Sequence, residues 1–92
     1  MKEFRVQFDP KKAKENFRKH KVHLADGEGP FYDPLALTME DENPDEQRWV
    51  TIGNDGTGRI LVVSYTYRDP DFVRLISTRK AEPHEIDEYL AG

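Results

Sequence analysis

No cysteine occurs among the 92 residues, which excludes a disulfide framework, a thiolate metal site and a cysteine nucleophile. Long hydrophobic runs are missing too: mean hydropathy is −0.86, and no stretch has the length needed to span a bilayer. The first residues, MKEFRV, are charged and carry no apolar run of signal-peptide length, so the expectation is a soluble, cytoplasmic protein. A chain this short suits one domain, residues 1–92, with one modest core and no deep enclosed pocket.

Charge is abundant but unevenly placed. The formal net charge of −4 argues mildly against nucleic-acid binding, since phosphate contacts need cations. Pro10 to Leu24, however, holds six Lys or Arg against one Glu, and Asp26 to Glu46 holds eight acids and no base. Arg48 to Lys80 holds six bases and three acids, and four uncompensated acids follow between Glu82 and Glu88. A basic face built from the first helix and the later strands is compatible with RNA, with the acidic segments turned away.

The alternation of Phe4, Val6 and Phe8 suits a short edge strand. Asp9 then reads as a helix cap with Pro10 at the first helical position. Ala13, Phe17, His20 and Leu24 recur at helical spacing and give a narrow apolar stripe. From Ala25 to Pro34 the breakers Gly27, Gly29, Pro30 and Pro34 leave room for a turn or two at most. Leu35, Leu37 and Met39 alternate as a strand, and Glu40 to Glu46 reads as a solvated connection. Three further strands are expected at Arg48–Ile52, Arg59–Arg68 and Phe72–Thr78, separated by Asn54-Asp55-Gly56-Thr57-Gly58 and Asp69-Pro70-Asp71. Pro83 opens a last helix whose buried face is Ile86, Tyr89 and Leu90. The fold class is therefore α+β, a mainly antiparallel sheet with helices packed on one face and the other partly open.

Cations set into strands are the first sign of a site. Strict alternation places Arg59, Leu61, Val63, Tyr65 and Tyr67 on one face of the long strand, and puts Arg74 with Phe72, Ile76 and Thr78, opposite to Val73, Leu75, Ser77 and Arg79. Arg59, Tyr65, Tyr67 and Arg74 could then meet on one face, where arginine clamps phosphate and tyrosine stacks on a base. Cross-strand aromatics and edge arginines that merely stabilise a sheet are the plainer explanation. His20 and His23 lack a third metal ligand fixed by spacing. The acidic run 40–46 lacks the glycine of a calcium loop, and Gly53 to Gly58 is explained by a hairpin turn, with no phosphate-loop lysine after it. No metal site and no cofactor is expected.

The series FDPKKAKENFRKHKV, FYDPLALTMEDENPDEQRWVTIG and GRILVVSYTYRDPDFVRLISTRKA resembles the BrnT family, the toxin half of a bacterial type II toxin–antitoxin pair. The resemblance implies a RelE-like fold, a metal-independent endoribonuclease that arrests translation, and a cognate DNA-binding antitoxin of BrnA type forming a hetero-oligomer with it. The family's recurring polar positions fall on Asn16, His20, Asp33, Glu46, Arg48, Arg59, Tyr65, Arg68, Arg74, Ser77 and Arg79. The chain departs from the family between His23 and Pro30, where a regular second helix is usual, and at Ala81-Glu82-Pro83, where a threonine cap is usual. On this reading Arg59 and Arg74 stabilise phosphate charge, Tyr65 and Tyr67 serve the base or the leaving oxygen, and His20 is the base. Arg68, Arg79 and Lys80 support RNA. The rival is a module without catalysis that binds the antitoxin through Trp49, Tyr65 and Tyr67.

Overall fold

The computed structural model describes residues 5–43, 45–69 and 72–92; the expected strand positions 3 and 4 and the turn at 70 and 71 lie outside them. Strand β1 (Arg5–Gln7) leads into helix α1 (Pro10–His20), a 3-10 segment (Leu24–Tyr32), strands β2 (Leu37–Asp41), β3 (Arg48–Asn54), β4 (Ile60–Asp69) and β5 (Phe72–Lys80), and helix α2 (Pro83–Ala91). The sheet order is β1-β5-β4-β3-β2. β1 runs parallel to β5 and every other pair is antiparallel, so the α+β sheet is mixed through one short edge strand.

Helix α1 begins as the sequence dictates. Asp9 Oδ1 accepts from Lys11 N–H at 2.9 Å, and Pro10 fills a position where no N–H is needed. The helix stops at Lys21, which takes a left-handed φ of 60° and donates its N–H to the Phe17 carbonyl. Of the expected apolar stripe, Ala13 and Leu24 join the core and Phe17 does not. Phe17 is 42% exposed and stacks on His23 with ring centroids 4.5 Å apart; the buried residue of the helix is Asn16.

Beyond the turn or two expected, residues 24–32 make a 3-10 segment of 9 residues. In that geometry positions three apart eclipse, and the buried residues Leu24, Gly27 and Pro30 follow this period. The breakers are thus the buried face of the element. It crosses the sheet from β5 to β3: Thr78 Oγ1 donates to the Leu24 carbonyl at 3.0 Å, a Cβ on Gly27 would collide with Thr78 Oγ1 and press on Val63, and Pro30 lies on Gly53. The face beneath it holds the core of Leu24, Val63, Tyr65, Val73 and Leu75, with Val6, Ala13, Phe31 and Trp49 packed around.

Helix α2 folds back over the end of the sheet where β3 stops and β4 begins. Glu82 and Glu85 form its capping box, Arg79 binds Glu85, and Tyr89 OH donates to Asp33 Oδ2 at 2.6 Å. The same Oδ2 accepts from Asn54 N–H, and Asp33 Oδ1 accepts from Leu35 N–H. Burial opposes ionisation of Asp33, but these bonds outweigh it and hold the carboxyl below its ordinary pKa. Of the expected buried face, Ile86 and Tyr89 are half-buried while Leu90 is 73% exposed.

Asn16 is the tie between layers. Its Nδ2 donates to the carbonyls of Val22 and Thr78, both at 2.8 Å, and its Oδ1 accepts from Thr78 N–H at 3.0 Å. Among the described residues β1 pairs with residues 72–74 of β5 and ends at Gln7, so this amide closes the strand edge where β1 has ended. Asn16→Ala leaves a buried N–H and two carbonyls unpaired, and should cost about 2–4 kcal/mol. Urea unfolding measures the loss; a change below half a kcal/mol would mean that water takes over these bonds.

Candidate nucleic-acid interface

The register of β4 and β5 decides which cations share a face. Ser64 pairs with Ser77 while Tyr65 pairs with Leu75, leaving Ile76 as an extra residue in β5. Alternation therefore inverts after Leu75. Arg74 lies opposite Thr66, Ser77 opposite Ser64 and Arg79 opposite Val62, so Arg74, Ser77 and Arg79 point away from the 3-10 segment together. Strict alternation had separated Arg74 from Ser77 and Arg79; the bulge corrects that. Thr78 moves the other way and is fully buried beneath the 3-10 segment.

The same register parts the expected cluster. Tyr65 and Tyr67 belong to the covered face with Leu61 and Val63, across the sheet from Arg74. Tyr65 is 2% exposed, and its hydroxyl shares a hydrogen bond of 2.8 Å with Thr51 Oγ1, which in turn meets Thr38 Oγ1 at 2.9 Å. Phe31 packs edge-on against its ring at 4.8 Å. Burial pushes the Tyr65 phenol above its ordinary pKa. Tyr67 is half exposed and stands edge-on to both Tyr65 and Trp49.

Arg59 sits before β4, at the opposite end of the strand from Thr66 and its partner Arg74. Its Nε donates to Asp55 Oδ2 at 2.7 Å and its Nη2 to Asp26 Oδ2 at 3.0 Å. These hydrogen bonds raise its pKa further. Asp55 also accepts from Thr57 N–H and Thr57 Oγ1; burial works against the charge, yet the Thr57 and Arg59 bonds bring its pKa down to about 2. Arg59 thereby closes the hairpin turn, in which Gly56 and Gly58 take positive φ.

His20 and Arg74 both lie along the seam between α1 and β5. A shallow groove of about 230 Å³ is lined by Lys12, Glu15, Asn16, Lys19, His20, Ile76 and Ser77. A second, of about 500 Å³, is lined by Val6, Gln7, Phe8, Asp9 and Arg74. Arg5 and Gln7 of β1 face Phe72 and Arg74 across the parallel pair, and the Arg5 guanidinium lies over the Phe72 ring at 5.6 Å. Arg68, the second irregular position of β4, is exposed. Lys80 is exposed opposite Leu61, on the covered-face side. The structure thus sets His20 and Ser77 on one groove and Arg74 on the second, on the same face of β5 as Ser77 and Arg79; Arg59, Tyr65, Tyr67 and Lys80 stand elsewhere. Gln7, Phe8 and Asp9 enter the seam unforeseen, because the sequence gives no sign of what flanks Arg74 on the neighbouring strand.

Arg79 is held in place by a two-point bond to Glu85, Nη1 to Oε1 at 2.7 Å and Nη2 to Oε2 at 2.8 Å. Arg79, against the cost of burial, draws the Glu85 pKa from 4.5 to about 2. Glu46 accepts a single bond from Arg48 Nε at 3.0 Å, near the other edge.

A sheet of this order with its helical cover defines a RelE-like domain, and the comparisons agree. The fold matches the 1.1 Å crystal structure of the Brucella abortus ribonuclease toxin BrnT with a TM-score of 0.69, at 23% identity, over 87% of this chain and 99% of that one. The family described as the ribonuclease toxin, BrnT, of type II toxin–antitoxin systems matches residues 8–85. A search of curated proteins gives no match. The chain belongs to the BrnT toxin family.

Because the folded pKa of Glu85 is depressed, its stabilisation is present in full above about pH 4.5 and is lost as pH falls through about 2. Glu85→Gln should therefore lower stability at pH 7 by about 1–2 kcal/mol, after allowance for solvent at the partly exposed Arg79, and converge on the parent near pH 2. Denaturation at a series of pH values checks both the size and the direction; a gap that widens toward acid would refute the pairing.

Proposed function

We propose that this protein is a metal-independent endoribonuclease toxin that holds single-stranded RNA along the α1–β5 seam. The observation that carries this reading is the Ile76 bulge, which turns Arg74 to the same face of β5 as Ser77, a residue that shares a groove with His20. Family membership supports the reaction class, and the lysines Lys12 and Lys19 supply positive potential along the groove.

In this mechanism Arg74 binds the non-bridging oxygens of the scissile phosphate and stabilises the charge that grows there. His20 removes the proton from the ribose 2′-OH. The 2′-oxygen attacks phosphorus, the bond to the 5′-oxygen breaks, and water entering from the open face protonates the departing oxygen. The products are a 2′,3′-cyclic phosphate and a 5′-OH. Ser77 and Ser64 are hydrogen-bonding groups for the backbone, and Arg68 adds charge at the rim. Arg79 keeps the strand end in register through Glu85. Arg59 and Tyr65 act through structure, one closing a turn and the other filling the core.

A cognate DNA-binding antitoxin would silence the toxin in a hetero-oligomer. Exposed Tyr67, edge-on to Trp49, offers that partner an aromatic anchor on the covered side of the sheet.

Expression of the chain alone with mapping of RNA ends tests the reaction. Arg74→Ala and His20→Ala should each lower cleavage at least a hundredfold, with thermal stability nearly unchanged for Arg74→Ala, whereas Arg59→Ala should cost stability of about 1 kcal/mol. Cleavage should survive a chelator and be blocked by a 2′-deoxy substitution at the cut. Loss with chelator and return with a divalent ion would refute this chemistry. Intact RNA with an antitoxin still captured through Tyr67 would favour a binding module.

A further inference from the structure

We infer that the groove beside Arg74 is a nucleobase subsite that prefers a base bearing an exocyclic amine to uracil. This rests on the proposed RNA-binding role of the seam, and names the side chains that would give it sequence preference.

The groove joins four chemistries next to the phosphate-binding candidate. Phe8 is 38% exposed and contributes an aromatic surface on which any base can stack. Gln7, exposed and cross-strand from Arg74, brings an amide that both donates and accepts. Asp9 uses Oδ1 to cap α1 through Lys11 N–H, while no hydrogen bond to Oδ2 is found among the described residues. Arg74 lines the same groove. A nucleotide whose phosphate engages Arg74 can therefore place its base between Phe8 and these two polar side chains.

The polar pair is selective by sign. An ionised carboxylate only accepts hydrogen bonds. Adenine, cytosine and guanine each present an exocyclic amine that can donate to Asp9 Oδ2, with a neighbouring ring position for the Gln7 amide. Uracil presents carbonyl oxygens and one ring N–H. A carboxylate that accepts from that N–H lies against a carbonyl oxygen on either side of it, an arrangement that costs affinity. The groove is open to solvent, so discrimination of about tenfold is expected, at the low end of what a paired contact achieves.

Asp9→Asn is the decisive substitution, because asparagine caps helices as well as aspartate but carries an amide that can donate to a uracil oxygen. The assay is fluorescence anisotropy with short RNAs made non-cleavable by a 2′-deoxy sugar at the cut, differing only in the base next to it, for the parent, Asp9→Asn and Phe8→Ala. The parent should bind the amine-bearing bases about tenfold more tightly than uracil; Asp9→Asn should bring that ratio close to one at unchanged thermal stability. Phe8→Ala should weaken all four bases. Equal binding of all four by the parent, or a ratio that survives Asp9→Asn, overturns the subsite. The same RNAs with a full ribose are then tested for cleavage. If they stay intact while the binding ratio is as expected, the ribonuclease reading fails and the subsite stands.

Discussion

Everything in the architecture depends on one amide. Among the described residues β1 covers the first three of β5, and the backbone of β5 beyond it would face solvent or an apolar layer with its N–H and C=O unpaired. Asn16 supplies the missing partner, binding both groups of Thr78 and the carbonyl of Val22. That single side chain fixes α1 against the strand edge, and so fixes the seam. Thr78, pinned from one side by Asn16 and from the other by Leu24, must point inward. A strand that is buried at both Leu75 and Thr78 needs one extra residue between them, and Ile76 is that residue. The bulge and the grouping of Arg74 with Ser77 and Arg79 are consequences of this anchoring.

The charges divide into spent and available groups. Arg59 is consumed by Asp26 and Asp55, Arg48 by Glu46, and Arg79 by Glu85. These pairs shape turns and strand ends, and a net negative chain can afford them while keeping a basic surface elsewhere. Arg74, Lys12 and Lys19 border the grooves along α1. An acidic total is therefore compatible with a nucleic-acid interface, because Asp26, Glu46, Asp55 and Glu85 pair with arginines that have structural roles, away from the cations that border the grooves.

Much of the fold was legible in the residues. Asp9-Pro10 marked the start of α1, the glycine-rich turns marked the hairpin, and the run of four late strands was read in the right order. The resemblance to the BrnT family was carried by phrases that the family match then covered. Two features escaped for definite physical reasons. The stretch from Leu24 to Tyr32 was read for its breakers, although Leu24, Gly27 and Pro30 repeat every three residues, the period of a 3-10 helix and not of an α-helix. Ile76 escaped because a bulge is set by what packs on both sides of a strand, here Asn16 and the 3-10 segment, and no local residue announces it. One inserted residue was enough to move Arg79 and Ser77 to the face of Arg74. The grouping of Arg74 with Tyr65 and Tyr67 failed for a simpler reason, since Tyr65 fills the core that Leu24 and Val63 share.

The central claim is that RNA lies along the seam between α1 and β5, on the side of the sheet that carries Arg74. Backbone and side-chain NMR shifts on titration with a non-cleavable RNA test it most directly. The account predicts changes concentrated at Gln7, Phe8, His20, Arg74 and Ser77, with Trp49 and Tyr67 unmoved. Changes centred on Trp49 and Tyr67, with the seam silent, would contradict it.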